Sequence, residues 1–180
     1  MQTDTLLEKN MKVEKDDTEK SSIVSWVMYI AILVGIILFV KYVIGFTVIS
    51  GSSMNPTLED GDFILTSNML YTIERDDIIV YRDDQGFHVI KRVIGLPNDT
   101  IAIENGVVFV NGEAMEEDYI TGIAQDMKEV VVPNDAYFVI GDNRNPGESL
   151  DSRSNKVGPI AKEKIQGEAV FSILPFTTIK

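Results

Sequence analysis

Ile78-Ile79-Val80-Tyr81-Arg82-Asp83-Asp84-Gln85-Gly86-Phe87-His88-Val89-Ile90-Lys91-Arg92-Val93-Ile94 is the stretch that decides the fold. Two runs rich in β-branched and aromatic residues flank a polar Asp-Asp-Gln-Gly segment, the pattern of two strands joined by a turn. Six further runs of this kind, at 63–66, 100–104, 107–110, 129–132, 137–140 and 169–174, are bounded by Gly, Pro, Asn and Asp. Such spacing predicts a mainly β, antiparallel domain. Asn105-Gly106 marks a hairpin, because a type I′ turn needs positive φ at both central positions. Residues 111–128, rich in Glu and Asp, are expected to leave the core as a loop-rich small cap.

Upstream of these strands, residues 23–40 form an unbroken apolar run that continues past Lys41 to Phe46. As a helix it crosses a hydrocarbon core of about 30 Å. A buried core helix would carry a polar stripe, and this segment is apolar all round. A cleaved secretory signal would have a shorter apolar region of roughly 7 to 15 residues followed by an Ala-x-Ala site. An uncleaved anchor is therefore expected. Lys9, Lys12, Lys15 and Lys20 precede it, whereas residues 42–74 hold no basic residue. That asymmetry places the N-terminus in the cytoplasm and the rest outside. The resulting organisation is a disordered or frayed tail over 1–22, a transmembrane helix over 23–46 and an extracytoplasmic domain over 47–180.

Composition narrows the chemistry. The net charge of −12 argues against a nucleic-acid partner, which needs clustered cations. No cysteine and a single histidine, His88, exclude a cysteine nucleophile and a multi-histidine zinc site. Asp83 and Asp84 belong to a solvated hairpin tip rather than a calcium loop, whose fuller ligand pattern is missing.

Alternation along 87–94 puts Phe87, Val89, Lys91 and Val93 on one face and His88, Ile90, Arg92 and Ile94 on the other. Lys91 thus stands among apolar neighbours, where desolvation lowers an amine's pKa from about 10.4 toward the range of a general base. An edge lysine whose amine reaches water is the alternative. His88 faces away from Lys91, and Arg92 is expected to form a structural ion pair. The serine that such a base would activate lies in Gly51-Ser52-Ser53-Met54-Asn55-Pro56. It follows the apolar run closely, so its target should be held at the bilayer. Read alone, this segment is equally a polar linker.

Taken in order, Ser53-Met54-Asn55-Pro56-Thr57-Leu58, Gly61-Asp62, Asp77-Ile78-Ile79-Val80-Tyr81, Lys91-Arg92-Val93-Ile94-Gly95-Leu96-Pro97-Asn98-Asp99, Gly141-Asp142-Asn143-Arg144 and Asp151-Ser152-Arg153 resemble type I signal peptidase. The compact, single-span form resembles the Gram-positive bacterial members. The resemblance implies a signal-peptidase-like antiparallel β-sheet domain tethered to the cell membrane. It also implies a serine endopeptidase that removes signal peptides from exported preproteins after a small P1 residue, with no metal or organic cofactor.

By resemblance, Ser53 is the nucleophile, Lys91 the general base and Ser149 the serine that orients the lysine amine. Gly51, Ser52 and Met54 would serve the oxyanion hole and substrate binding, with Met54 lining a shallow pocket. Some members carry a serine where this chain has Gly51, so the hole would be built from backbone, or with help from Ser52 or Ser50. Asp142, Asn143, Arg144, Asp151 and Arg153 would support the site, the last two as an ion pair holding the Ser149 loop. Asn145-Pro146-Gly147-Glu148 makes that loop longer than is usual. The competing reading is a non-enzymatic β-domain that binds exported polypeptides.

Overall fold

The period-two runs fold as antiparallel strands, and hairpins lie at both turns that were read, 83–86 and 105–106, with a further one at Asn111-Gly112. The computed structural model describes residues 2–69, 72–174 and 177–178, with side chains over 23–69 and 72–173. The chain divides into two units, residues 1–42 and 43–180.

The first unit is the helix α1 (Gln2–Val43). The tail expected to be disordered is its N-terminal half, a stretch rich in Leu, Met, Glu and Lys, which lose little side-chain freedom in a helix. Residues Ile23–Val43 are long and apolar enough to cross a membrane, and their side chains, Trp26, Ile30 and Ile36 among them, are exposed.

Among the described residues the second unit holds two antiparallel sheets. Strands β1 (Ile44–Val48), β2 (Phe63–Ser67), β3 (Ile78–Arg82) and β4 (His88–Gly95) precede the smaller sheet in sequence. That sheet is built from β5 (Thr100–Glu104), β6 (Val107–Val110), β7 (Glu113–Ala114) and β8 (Met127–Val131), in the order β7-β6-β5-β8. The chain then returns through β9 (Ala136–Ile140), β10 (Ile160–Ala161), β11 (Ile165–Leu174) and β12 (Thr177–Thr178). The large sheet runs β1-β2-β11-β3-β4-β9-β10, with β12 paired to β11. The mainly β reading is borne out, and residues 111–128, expected to be loop-rich, hold only the short β7 and the start of β8 among turns and loop.

One strand lies where a helix was expected: the apolar run does not stay helical to Phe46. At Ile44 it turns into β1, which pairs with β2 from Ile44↔Ser67 to Val48↔Phe63, and Phe46 stacks on Phe63 with ring centroids 5.8 Å apart. The run read as a strand at 169–174 lies within the central strand β11 between β2 and β3, while Pro175 and Phe176 lie outside the described residues.

Among the described residues three apolar clusters hold the unit. One joins the small sheet to β4 and β9 through Ile94, Ile101, Val108 and Phe138. A second packs Met54, Leu58, Ile64, Ile78 and Val80, and a third packs Ile79, Tyr81, Val93 and Val139. The second and third lie on opposite faces of β3, because neighbouring residues of a strand point to opposite sides.

Candidate active site

Strand β4 carries the expected alternation. Lys91 is paired with Ile79, so it shares the face of the Ile79, Tyr81 and Val93 cluster, while Arg92 is paired with Ile78 on the reverse face. The Lys91 side chain is only 3% exposed. Its Nζ lies 2.7 Å from Ser53 Oγ and donates to the Ile90 carbonyl at 2.8 Å. Burial lowers the Lys91 pKa to about 8; the charges of Asp151 and Asp142 partly oppose this, and Arg153 adds to it.

A tight loop presents Ser53. Gly51 adopts φ +98°, a conformation that favours glycine, and donates its N–H to Asp60 Oδ1 at 2.7 Å. Beyond the serine, Asn55 N–H bonds the Ser52 carbonyl and Leu58 N–H bonds the Met54 carbonyl. The turn drives Met54 into the second cluster at 0% exposure, so it does not line a substrate pocket as expected. Its sequence neighbours Gly51 and Ser52 do line the cleft at Ser53.

The segment after β9 clamps this loop from behind. Asn143 N–H bonds the Ser53 carbonyl and Asn143 Nδ2 bonds the Ser52 carbonyl, both at 3.0 Å. Gly141 is required by proximity: a Cβ there would lie 2.4 Å from both the Ser53 carbonyl oxygen and Ser149 Oγ. Asp142 forms a fully buried pair with Arg92, accepting from Nε at 2.9 Å and Nη2 at 2.6 Å, and accepts from Thr57 Oγ1 as well. Arg92 therefore makes the expected ion pair and also sits over the Tyr119 ring, 3.9 Å from its centroid. Arg144 is buried against Glu117 of the excursion and donates to the Gly141 carbonyl.

Asp151 and Arg153 pair at 2.8 and 2.7 Å, and Asp151 Oδ2 also accepts from Gly141 N–H. Ser149, expected to orient the Lys91 amine, donates instead to Asp151 Oδ2 at 2.6 Å. The carboxylate, already fixed by Arg153, is the stronger acceptor and takes the hydroxyl. Burial pushes the Asp151 carboxyl up, but Arg153, Ser149 and the Gly141 amide outweigh it and hold it below the ordinary range.

A cleft of about 610 Å³ opens over the pair, lined by residues 50–53, Tyr81, Val89, Lys91, Glu148, Leu150 and Ile160 among others. Tyr81 is 3% exposed, and burial holds its phenol well above the usual value. A neighbouring pocket of about 220 Å³ is lined by Ile49, Val80, Val89 and Ile90 together with Ser53, Lys91 and His88. His88 is exposed and its ring lies 3.4 Å from Arg82 Nη2, without contact to Ser53. Among the described residues no group of His, Cys, Asp and Glu is arranged to hold a metal.

Sequence reasoning missed Glu148. Its carboxylate accepts a hydrogen bond from Ser52 Oγ at 2.5 Å, and the only signal in the sequence was the extra length of the loop that carries it. Thr57 and Asp60 were also unassigned: the partner of Thr57, Asp142, lies far along the chain, and that of Asp60 is the Gly51 N–H within the serine loop.

Residues 23–174 match the family described as signal peptidase, peptidase S26. The chain is 36% identical to signal peptidase I P of Bacillus subtilis subsp. natto, covering 94% of this chain and 98% of the relative. It is 32% identical to signal peptidase IB of Staphylococcus aureus (strain COL), covering 89% and 94%. A solved signal peptidase I from Enterococcus faecalis V583 aligns over 54% of this chain and 97% of its own, with 30% identity and a TM-score of 0.47.

Proposed function

Because the chain belongs to the peptidase S26 signal peptidases and is thereby a serine endopeptidase, we propose that it removes N-terminal signal peptides from exported preproteins by a Ser-Lys acyl-enzyme mechanism. The observation that carries this reading is the 2.7 Å contact between Ser53 Oγ and the buried Lys91 amine. Membrane anchoring is assigned to Ile23–Val43, with residues 1–22 in the cytoplasm and the β domain outside, on the strength of the lysines that precede the span.

In the reactive form Lys91 is neutral, and the Ser53 hydroxyl donates to its lone pair. The amine takes that proton as Oγ attacks the carbonyl carbon of the P1 residue. The Ser53 N–H stabilises the oxyanion. Lys91 then returns the proton to the leaving amine, and the acyl-enzyme forms. Lys91, neutral again, next takes a proton from a water that attacks the ester and passes it to Oγ as the ester C–O bond breaks, which frees the signal peptide and restores Ser53.

Ser149 acts indirectly, by fixing the Asp151 carboxylate, whose charge favours protonated Lys91 against the larger, opposite effect of burial. Cleavage after a small P1 residue is carried over from the family resemblance, and the pocket of about 220 Å³ beside Ser53 is where that side chain is assigned. Gly51 and Ser52, on the rim, are assigned to seating the substrate backbone as an added strand.

The test is cleavage of a membrane-presented preprotein bearing an Ala-x-Ala site by the wild type, Ser53→Ala, Lys91→Ala and His88→Ala. Activity is expected only in the wild type and His88→Ala. An inert wild type, or an active Lys91→Ala, would return the chain to the binding-module reading or to another base.

A further inference from the structure

Of the cleft's charges that the mechanism does not use, one is tied to the loop of the nucleophile. Glu148 lines the cleft beside Leu150, and one of its two carboxylate oxygens, Oε2, is held by the hydroxyl of Ser52. Ser52 directly precedes the nucleophile, so its Cα lies about 3.8 Å from that of Ser53. The negative charge is thereby fixed within a few residues' reach of any polypeptide whose scissile carbonyl sits at Ser53 Oγ.

The other charges of the cleft are mostly engaged elsewhere. Lys164 is paired with Asp84 at 2.5 Å, and the Asp83 carboxylate caps its own turn by accepting from the Gln85 and Phe87 N–H groups. Lys91 is buried. Lys156 remains on the wall as an exposed cation, but no side-chain bond ties it to the serine loop. The edge of the cleft at the nucleophile is therefore negative, and a carboxylate keeps acceptor capacity after taking one hydroxyl.

Resting on the assignment of Ser53 as nucleophile, we propose that Glu148 is a specificity-determining residue: it favours preproteins with a lysine or arginine close to the scissile bond and disfavours those with an aspartate or glutamate there. The Ser52 hydrogen bond preorganises the carboxylate, so little side-chain freedom is lost when a cation arrives. Attraction of one sign and repulsion of the other act together, and for partly solvated pairs the swing between lysine and glutamate is roughly threefold to tenfold in kcat/KM.

The experiment places a lysine or a glutamate, one position at a time, on either side of the cleavage site of an Ala-x-Ala preprotein, leaving the small residues intact. The full-length enzyme in detergent is assayed as wild type, Glu148→Gln, Glu148→Asp, Lys156→Gln and Ser53→Ala. Glutamine still accepts from Ser52, so the loop is kept and only the charge is removed. At one or more positions the wild-type Lys:Glu ratio should exceed about threefold, collapse toward one in Glu148→Gln, and persist in Glu148→Asp and Lys156→Gln. A wild-type ratio near one at every position, or a ratio unchanged in Glu148→Gln, overturns the assignment of Glu148. If Ser53→Ala still cleaves, the active-site reading is what has failed.

Discussion

Lys91 and Arg92 are consecutive cations on one strand, 3% and 0% exposed, and the two faces of β4 treat them in opposite ways. Arg92 meets Asp142 through two hydrogen bonds, and although burial lowers its pKa, that partner more than offsets the effect and raises it. Lys91 meets only a hydroxyl and a carbonyl, while the nearby Asp151 is bound by Arg153, so burial prevails. Burial alone does not make a cation reactive. What separates the two is whether a carboxylate is delivered to the charge or committed elsewhere.

The largest effect expected is from carrying one face's chemistry to the other. Lys91→Arg keeps a buried cation but installs a group that does not lose its proton, and cleavage should fall by at least about 1,000-fold. Preprotein turnover measures this, and retention of even a tenth of the activity would break the comparison. On the reverse face, Asp142→Ala strands Arg92 without its anion, which should cost about 3–5 kcal/mol. Thermal unfolding of the full chain in detergent should then shift down by about 10 °C. A shift within a degree or two would mean that the guanidinium finds water or another partner.

Lys91→Met tests the cost of the reactive face. The folded pKa of about 8 lies below the ordinary value of 10.5, so the unfolded chain holds this proton more tightly. The wild type is penalised by on the order of 3 kcal/mol below pH 8, and the penalty fades as pH rises to the unfolded value. The variant should be inactive and more stable, with a gain that is full at neutral pH and vanishes in strong alkali. A gain independent of pH would assign it to packing instead.

The sequence made most of the sheet legible because strand period and turn residues agree in 78–110. It hid β1, since Ile44, Phe46 and Val48 simply extend the apolar run of the helix and no turn residue separates them. Ser53 and Lys91 were readable as a pair by motif and by alternation. Met54 was misplaced because adjacency to the nucleophile says nothing about which way a tight turn points the next side chain. Ser149 was linked to the Lys91 amine by motif alone: only Leu150 separates it from Asp151 in sequence, Gly141 lets it approach both Asp151 and the Ser53 carbonyl, and the fold shows its hydroxyl donating to Asp151. Glu148 had no periodic or motif signal at all.

The smallest predicted effect sharpens the comparison most, because it reads the Lys91 face without dismantling it. With a folded pKa of about 8, roughly a tenth of the enzyme carries a neutral lysine at pH 7 and half does at pH 8. The value of kcat/KM, which reports the free enzyme, should rise about fivefold between those pH values and level off above roughly pH 9. The rise is with pH because the base must be deprotonated. Asp151 acts on Lys91 by favouring its charged form, so Asp151→Asn should move this limb to lower pH, and the Arg153 guanidinium released from its partner would push it the same way. His88→Gln, which alters an exposed ring without contact to Ser53, should leave the limb in place. A limb that follows His88 rather than Asp151 would transfer the base to the other face of the strand and remove the physical ground for treating Lys91 and Arg92 as opposites.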